Sequence, residues 1–164
     1  MQKTEAQTLA EMMSQTRKLG KFYIGKLKGV DPLKEFEVEG KKLNCVLWTL
    51  AHMTWAEDAL LLKTLDGPSP NIPWLGRFRT ATDSSLKTDW PALDEVMRCM
   101  EQVHDVSLKF ISSFDDSVLN EPAYIEVTDW NTDKRHVIMH AIRHEGVHIG
   151  HLSWLCKLHG IKTL

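Results

Sequence analysis

Apolar positions recur at helical spacing in four stretches of the chain. The first runs from about Thr4 to Lys28, where Leu9, Met12, Met13, Leu19, Phe22, Tyr23 and Leu27 form one stripe. Gly29, Asp31 and Pro32 stop it. In the short loop that follows, Phe36 and Val38 are expected to tuck against the core. The second stretch starts at Asn44, a favourable cap, and continues through VLWTLAHMTWAEDALLLKTL to the stop at Asp66-Gly67-Pro68. It is apolar nearly all round, which places it deep inside a helical assembly.

The third stretch opens at Pro91, with Asp89 as its expected cap. Leu93, Val96, Met97, Met100, Val103, Leu108, Ile111 and Phe114 mark its buried side, and it fades at Asp115-Asp116. The fourth begins near Asn131-Thr132-Asp133 and ends at Gly160. Between the second and third, Gly67 to Trp90 holds Pro68, Pro70 and Pro73 and reads as one long connection with at most a helical turn. Between the third and fourth, AYIEVTDW is rich in β-forming residues and predicts an extended excursion or small hairpin. One short and two longer connections suit an all-α four-helix bundle with crossovers, a single domain over residues 1–164. The long second connection allows helices two and three to run parallel.

Composition narrows the partners. The formal net charge is −2 and charged residues make up 26%, with no basic excess of the kind nucleic acid or a membrane surface requires. No apolar run reaches the roughly 20 residues of a membrane span. The start, MQKTEAQTLAEMM, lacks a signal-peptide apolar stretch, so a cytoplasmic protein is expected. Cys45, Cys99 and Cys156 are far apart and odd in number, which fits buried small hydrophobes better than disulfides or a CxxC metal knuckle.

The histidines carry the candidate chemistry. Six of eight fall late in the chain: His136, His140, His144, His148, His151 and His159. The first four are spaced by four, so neighbours share a helix face with Cβ atoms about 5–6 Å apart. An adjacent pair can converge on one metal ion, whereas the whole run cannot, because it climbs about 6 Å per step. With His136 at zero on a helical wheel, Val137, Ala141, Leu152 and Leu155 cluster at about 100–160°. His148 falls at about 120° and His144 at about 80°, inside or beside this core face. His140 and His136 drift outward. A third ligand must come from elsewhere, and His52, in the middle of the apolar second helix, is favoured over His104. Three histidines with open positions match a catalytic metal site rather than a closed structural one.

His144-Glu145-Gly146-Val147-His148 also matches HExxH literally, which raises a zincin-type protease with Glu145 as base. Zincins need an edge strand above the active-site helix, and strand content here is slight.

The segment HVIMHAIRHEGVHIGHLSWLCKLHG resembles the last helix of the DinB/YfiT-like superfamily, and LNCVLWTLAHMTWAED resembles its second. His144, His148 and Gly150 fall on the first motif, and His52 on the second. Where the family often carries Arg and Gln after the second histidine, this chain has Ile149 and His151. The resemblance spans nearly the whole chain. It implies an up-down-down-up four-helix bundle, a three-histidine site for a divalent metal ion, commonly zinc or nickel, and frequent homodimers. It also implies a metal-dependent enzyme acting on a small-molecule substrate. The family includes transferases that use a low-molecular-weight thiol cosubstrate, and maleylpyruvate isomerase. A hydrolase is the companion expectation. The alternative is a non-catalytic metal-binding or stress-related structural protein. Glu57, Asp58 and His151 are candidates to orient substrate. Trp48, Trp55, Trp74 and Trp154 are expected either to pack the core or to wall a pocket.

Overall fold

The computed structural model describes residues 2–82, 87, 89–125 and 130–163, with residues 130–132 by backbone alone. Four helices form the bundle: α1 (Glu5–Lys26), α2 (Val46–Glu57), α3 (Leu93–Ser112) and α4 (Lys134–Leu158). Two antiparallel hairpins accompany them, β1 (Phe36–Val38) with β2 (Lys41–Leu43) and β3 (Pro122–Ile125) with β4 (Trp130–Asp133). The second hairpin is the β excursion expected before the last helix; its connecting residues 126–129 lie outside the described set. The first hairpin has no counterpart in the sequence reading. Its strands are three residues each, too short for an alternation to show.

Helix starts follow their local chemistry. Thr4 caps α1 in a reciprocal box, its hydroxyl accepting from the Gln7 amide while the Gln7 side chain accepts from the Thr4 amide. Asp133 caps α4 by accepting from the His136 amide at 2.9 Å. Gly160 sits just past the end of α4 with φ +73°, the left-handed geometry that glycine adopts freely. Two expected caps are not used. Cys45, not Asn44, occupies the cap position of α2, and the Pro32 carbonyl takes the Leu47 amide at 3.0 Å, so an orphan donor is satisfied from the preceding loop. Asp89 has φ +61° and lies outside α3, which starts after Ala92 with Asp94 and Glu95 in its first turn to complement the helix dipole. α2 also changes character before its expected end. Asp58–Lys63 continue it as a π-helix.

Two apolar clusters fix the helix directions. One joins Leu27, the start of α2 (Cys45 to Met53), Val96 and Met100 early in α3, and Leu152, Leu155 and Cys156 late in α4. The other joins Ala6, Leu9, Ala10 and Met13 of α1, Leu61 and Leu65 after α2, Ile111 late in α3, and Val137 and Ile138 early in α4. The start of α1 therefore lies with the start of α4, where Arg135 bonds Glu5 at 2.5 Å, and with the ends of α2 and α3. The order is up-down-down-up, with α2 and α3 parallel. The long connection between them passes through a short 3-10 helix at Leu75–Phe78 whose Phe78 is fully buried.

Some expected core positions face outward. Met12 and Leu19 are exposed, because α1 turns Leu9, Met13, Arg17 and Gly20 inward instead. Val38 is half exposed, while Phe36 packs on the core. Among the described residues no helix is long and apolar enough to cross a membrane.

Candidate metal centre

His52 lies on α2 where every residue from Val46 to Thr54 is buried. Its ring stacks on Trp48, one turn earlier, with centroids 4.7 Å apart and planes 9° apart. Its Nδ1 lies 2.7 Å from the Phe78 carbonyl oxygen. A carbonyl only accepts, so Nδ1 carries the hydrogen and, in the neutral ring, Nε2 is bare. The 3-10 turn in the long connection thus fixes the tautomer of a histidine in the bundle core.

α4 brings its histidines to the same place. The rings of His144 and His148 lie 5.2 and 4.7 Å from the His52 ring. His144 Nε2 and His148 Nε2 are 3.2 Å apart. One ligand nitrogen from each of His52, His144 and His148 lies within 4.8 Å of the others, so the three can hold a metal ion. Two nitrogens bonded to one ion at 2.0–2.1 Å stand about 3.3 Å apart at a tetrahedral angle, which the α4 pair already matches.

The electrostatics fit as well. Burial, then the crowding of His52, His140 and His151, pushes His144 down to about 4. Burial, then His144, His52 and His151, takes His148 to about 3. Burial also lowers His52, although its bond to Phe78 opposes this. All three are neutral near pH 7, the form that ligates metal. Three neutral imidazoles facing one another make a donor set suited to a divalent transition-metal ion.

The other histidines divide by position. His151 Nδ1 lies 3.1 Å from His148 Nδ1, on the side of the ring away from His144. His140 lies farther off, its ring 6.2 Å from that of His144. His136 is exposed and bonds its own helix cap, Asp133. His159 meets Phe36 edge-on. His104 bonds Glu57 at 2.8 Å.

That last bond belongs to a buried charge cluster beside the triad. Arg17 of α1 donates to Glu57 of α2 at 2.7 Å, to Glu145 of α4 at 2.6 Å and to the Met100 carbonyl of α3 at 3.4 Å. His104 of α3 completes it, so one network ties all four helices together. Burial alone would raise the Glu57 carboxyl, but the Arg17 guanidinium and then His104 hold it below the ordinary carboxylate range. The sequence reading missed Arg17. The signal was present, since Arg17 continues the inward series Leu9 and Met13 at a spacing of four.

The cluster decides several earlier expectations. Glu145, the glutamate of the HExxH match, is bound to Arg17 in the bundle rather than held as a base facing the histidines. The described strands form only two short hairpins, not the edge strand a zincin uses. Glu57 is engaged by Arg17 and His104, and Asp58 by Lys63 and Ser69, so neither is available to orient a substrate. His151 retains that opportunity. Of the tryptophans, Trp48 is buried, while Trp55 is only partly buried and tilts over His52 at 5.4 Å. Trp74 packs on Phe78 and bonds Glu95. Trp154 is 63% exposed and is no core residue. All three cysteines are buried and free.

The family model of the DinB superfamily matches residues 32–152, which contain α2, α3 and all three histidines of the triad. The chain belongs to the DinB superfamily. No curated protein matches it significantly.

Proposed function

We propose that this chain is a metal-dependent enzyme in which His52, His144 and His148 hold one divalent metal ion, zinc or nickel, and which acts on a small organic substrate together with a low-molecular-weight thiol or water. The observation that carries the reading is the convergence of three neutral imidazoles from two helices, one with its tautomer set by the Phe78 carbonyl. When bound, the metal lowers the pKa of a coordinated thiol or water and supplies a nucleophile near neutral pH.

The chain's own groups have separate tasks. The Phe78 carbonyl keeps the His52 hydrogen on Nδ1 and leaves Nε2 for the ion. His148 presents Nε2 beside that of His144 while its Nδ1 is paired with His151, which holds the ring orientation as partners of metal-bound histidines generally do. Three protein ligands leave room for a substrate at the ion, as in catalytic rather than structural sites. Trp48 and Trp55 cover the His52 ring and restrict water there.

The test incubates zinc- and nickel-loaded protein with a panel of small thiols and a chromogenic electrophile, and separately with activated esters and amides. Acceleration that disappears in His148→Ala is expected. A rate equal to that of free metal with every thiol and ester would remove the enzymatic reading and leave a metal-binding structural protein.

A further inference from the structure

An open groove of about 450 Å³ lies between the β1–β2 hairpin, the start of α2 and the last turns of α4. That volume falls within the range of small-molecule sites. Its walls include Leu43 of β2, Thr49 of α2, and Trp154 and Leu158 of α4. Lys42 and His151 supply its basic groups. Two features join it to the candidate metal centre. Thr49 precedes His52 by less than one helical turn, and His151 Nδ1 lies 3.1 Å from His148 Nδ1.

We infer that this groove binds the substrate as an anionic aromatic molecule, an aryl carboxylate or a close analogue, with its ring on Trp154 and its acid group toward Lys42 and His151. The inference rests on the metal reading only for its placement beside the reaction. Trp154 is 63% exposed and lines the groove, and Lys157 lies 4.8 Å over its ring. An indole in this setting offers a face for stacking a flat ligand. Lys42 supplies the charge complement. His151 lines the same groove. Glu37 stands opposite Lys42 across the hairpin and is the carboxylate with which the ligand competes.

The experiment titrates 2-naphthoate and its neutral counterpart 2-naphthamide into zinc-treated full-length protein, followed by amide and indole NMR shifts, with bound zinc measured in the same samples. Both probes are expected to shift Trp154 and its groove neighbours, with naphthoate binding more tightly. Lys42→Met is expected to weaken naphthoate by about threefold to fivefold, the scale of one exposed charge pair, and to leave naphthamide unchanged. Glu37→Gln is expected to tighten naphthoate, and Trp154→Ala to weaken both probes without altering zinc content. Equal binding of the two probes, or a naphthoate preference that survives Lys42→Met, overturns the inference; the second result would point to direct coordination by zinc. Lys42-dependent naphthoate binding in protein that holds no zinc would keep the groove and remove the metal reading, so the two fail separately.

Discussion

Replacing Arg17 with methionine removes the guanidinium from a buried cluster and keeps most of its apolar stem. Arg17 is 2% exposed, and its partners Glu57 and Glu145 have side chains 6% and 11% exposed. In the variant, two carboxylates face each other in the bundle with only His104 to compensate. Breaking a buried pair by removing one partner costs about 3–5 kcal/mol, because a charge is left without solvent or counter-ion. With a urea slope of about 2 kcal/mol/M, the midpoint is expected to fall by roughly 1.5–2.5 M. The pH dependence gives a sharper signature. In the wild type, Glu57 is held below the ordinary carboxylate range, so its contribution is present above about pH 4.5 and is lost as pH falls further. In the variant the stranded carboxyls are raised instead, and protonation relieves them as pH falls from 7 toward about 4.5. The gap between the two proteins should therefore narrow over that interval. Urea unfolding at a series of pH values measures it. A loss under about 1 kcal/mol, or a gap independent of pH, would refute the claim that this cluster is a buried ionic tie.

Other perturbations follow from the same geometry. Protons compete with metal for imidazole nitrogen, and with His144 near 4 and His148 near 3 they do so only in strong acid. Dialysis at about pH 5.5 is expected to leave zinc bound, and release centred near the ordinary histidine value of about 6.5 would contradict these environments. In metal-free protein the unfolded chain takes up protons below about 6.5 that the folded triad refuses, so urea midpoints should fall as pH drops from about 6.5 toward 4. Gly67→Ala places a Cβ 2.6 Å from Phe110 Cε1, and thermal unfolding should show a loss of about 1–3 kcal/mol. Asp133→Ala removes the α4 cap and should cost about 0.5–2 kcal/mol by the same measurement.

Periodicity located all four helices because each buries a continuous face, and that information is local. The wheel selected His144 and His148 for the same reason, since His148 sits among Val137, Leu152 and Leu155 on the buried side of α4. His52 was legible as an imidazole inside a helix with no polar face. What escaped depends on contacts between distant segments. The Phe78 carbonyl that sets the His52 tautomer belongs to a proline-bounded connection with no repeating pattern. Arg17 is charged, so its place on the buried stripe was concealed by its side chain, and its partners lie on three other helices. The cap of α2 was misplaced because the carbonyl of Pro32, in the preceding loop, takes the orphan amide of Leu47. The groove at Trp154 requires the β1–β2 hairpin, whose strands are too short to register as a pattern.

The central claim is that His52, His144 and His148 hold one metal ion. Bound metal on purified protein, after zinc loading and exhaustive dialysis, tests it most directly against His52→Ala, His144→Ala and His148→Ala, with His136→Ala as a control on the same helix. One equivalent in the wild type and control, and a loss of retained metal in each of the three variants, is the expected result. Full stoichiometric retention in all three variants would contradict the account.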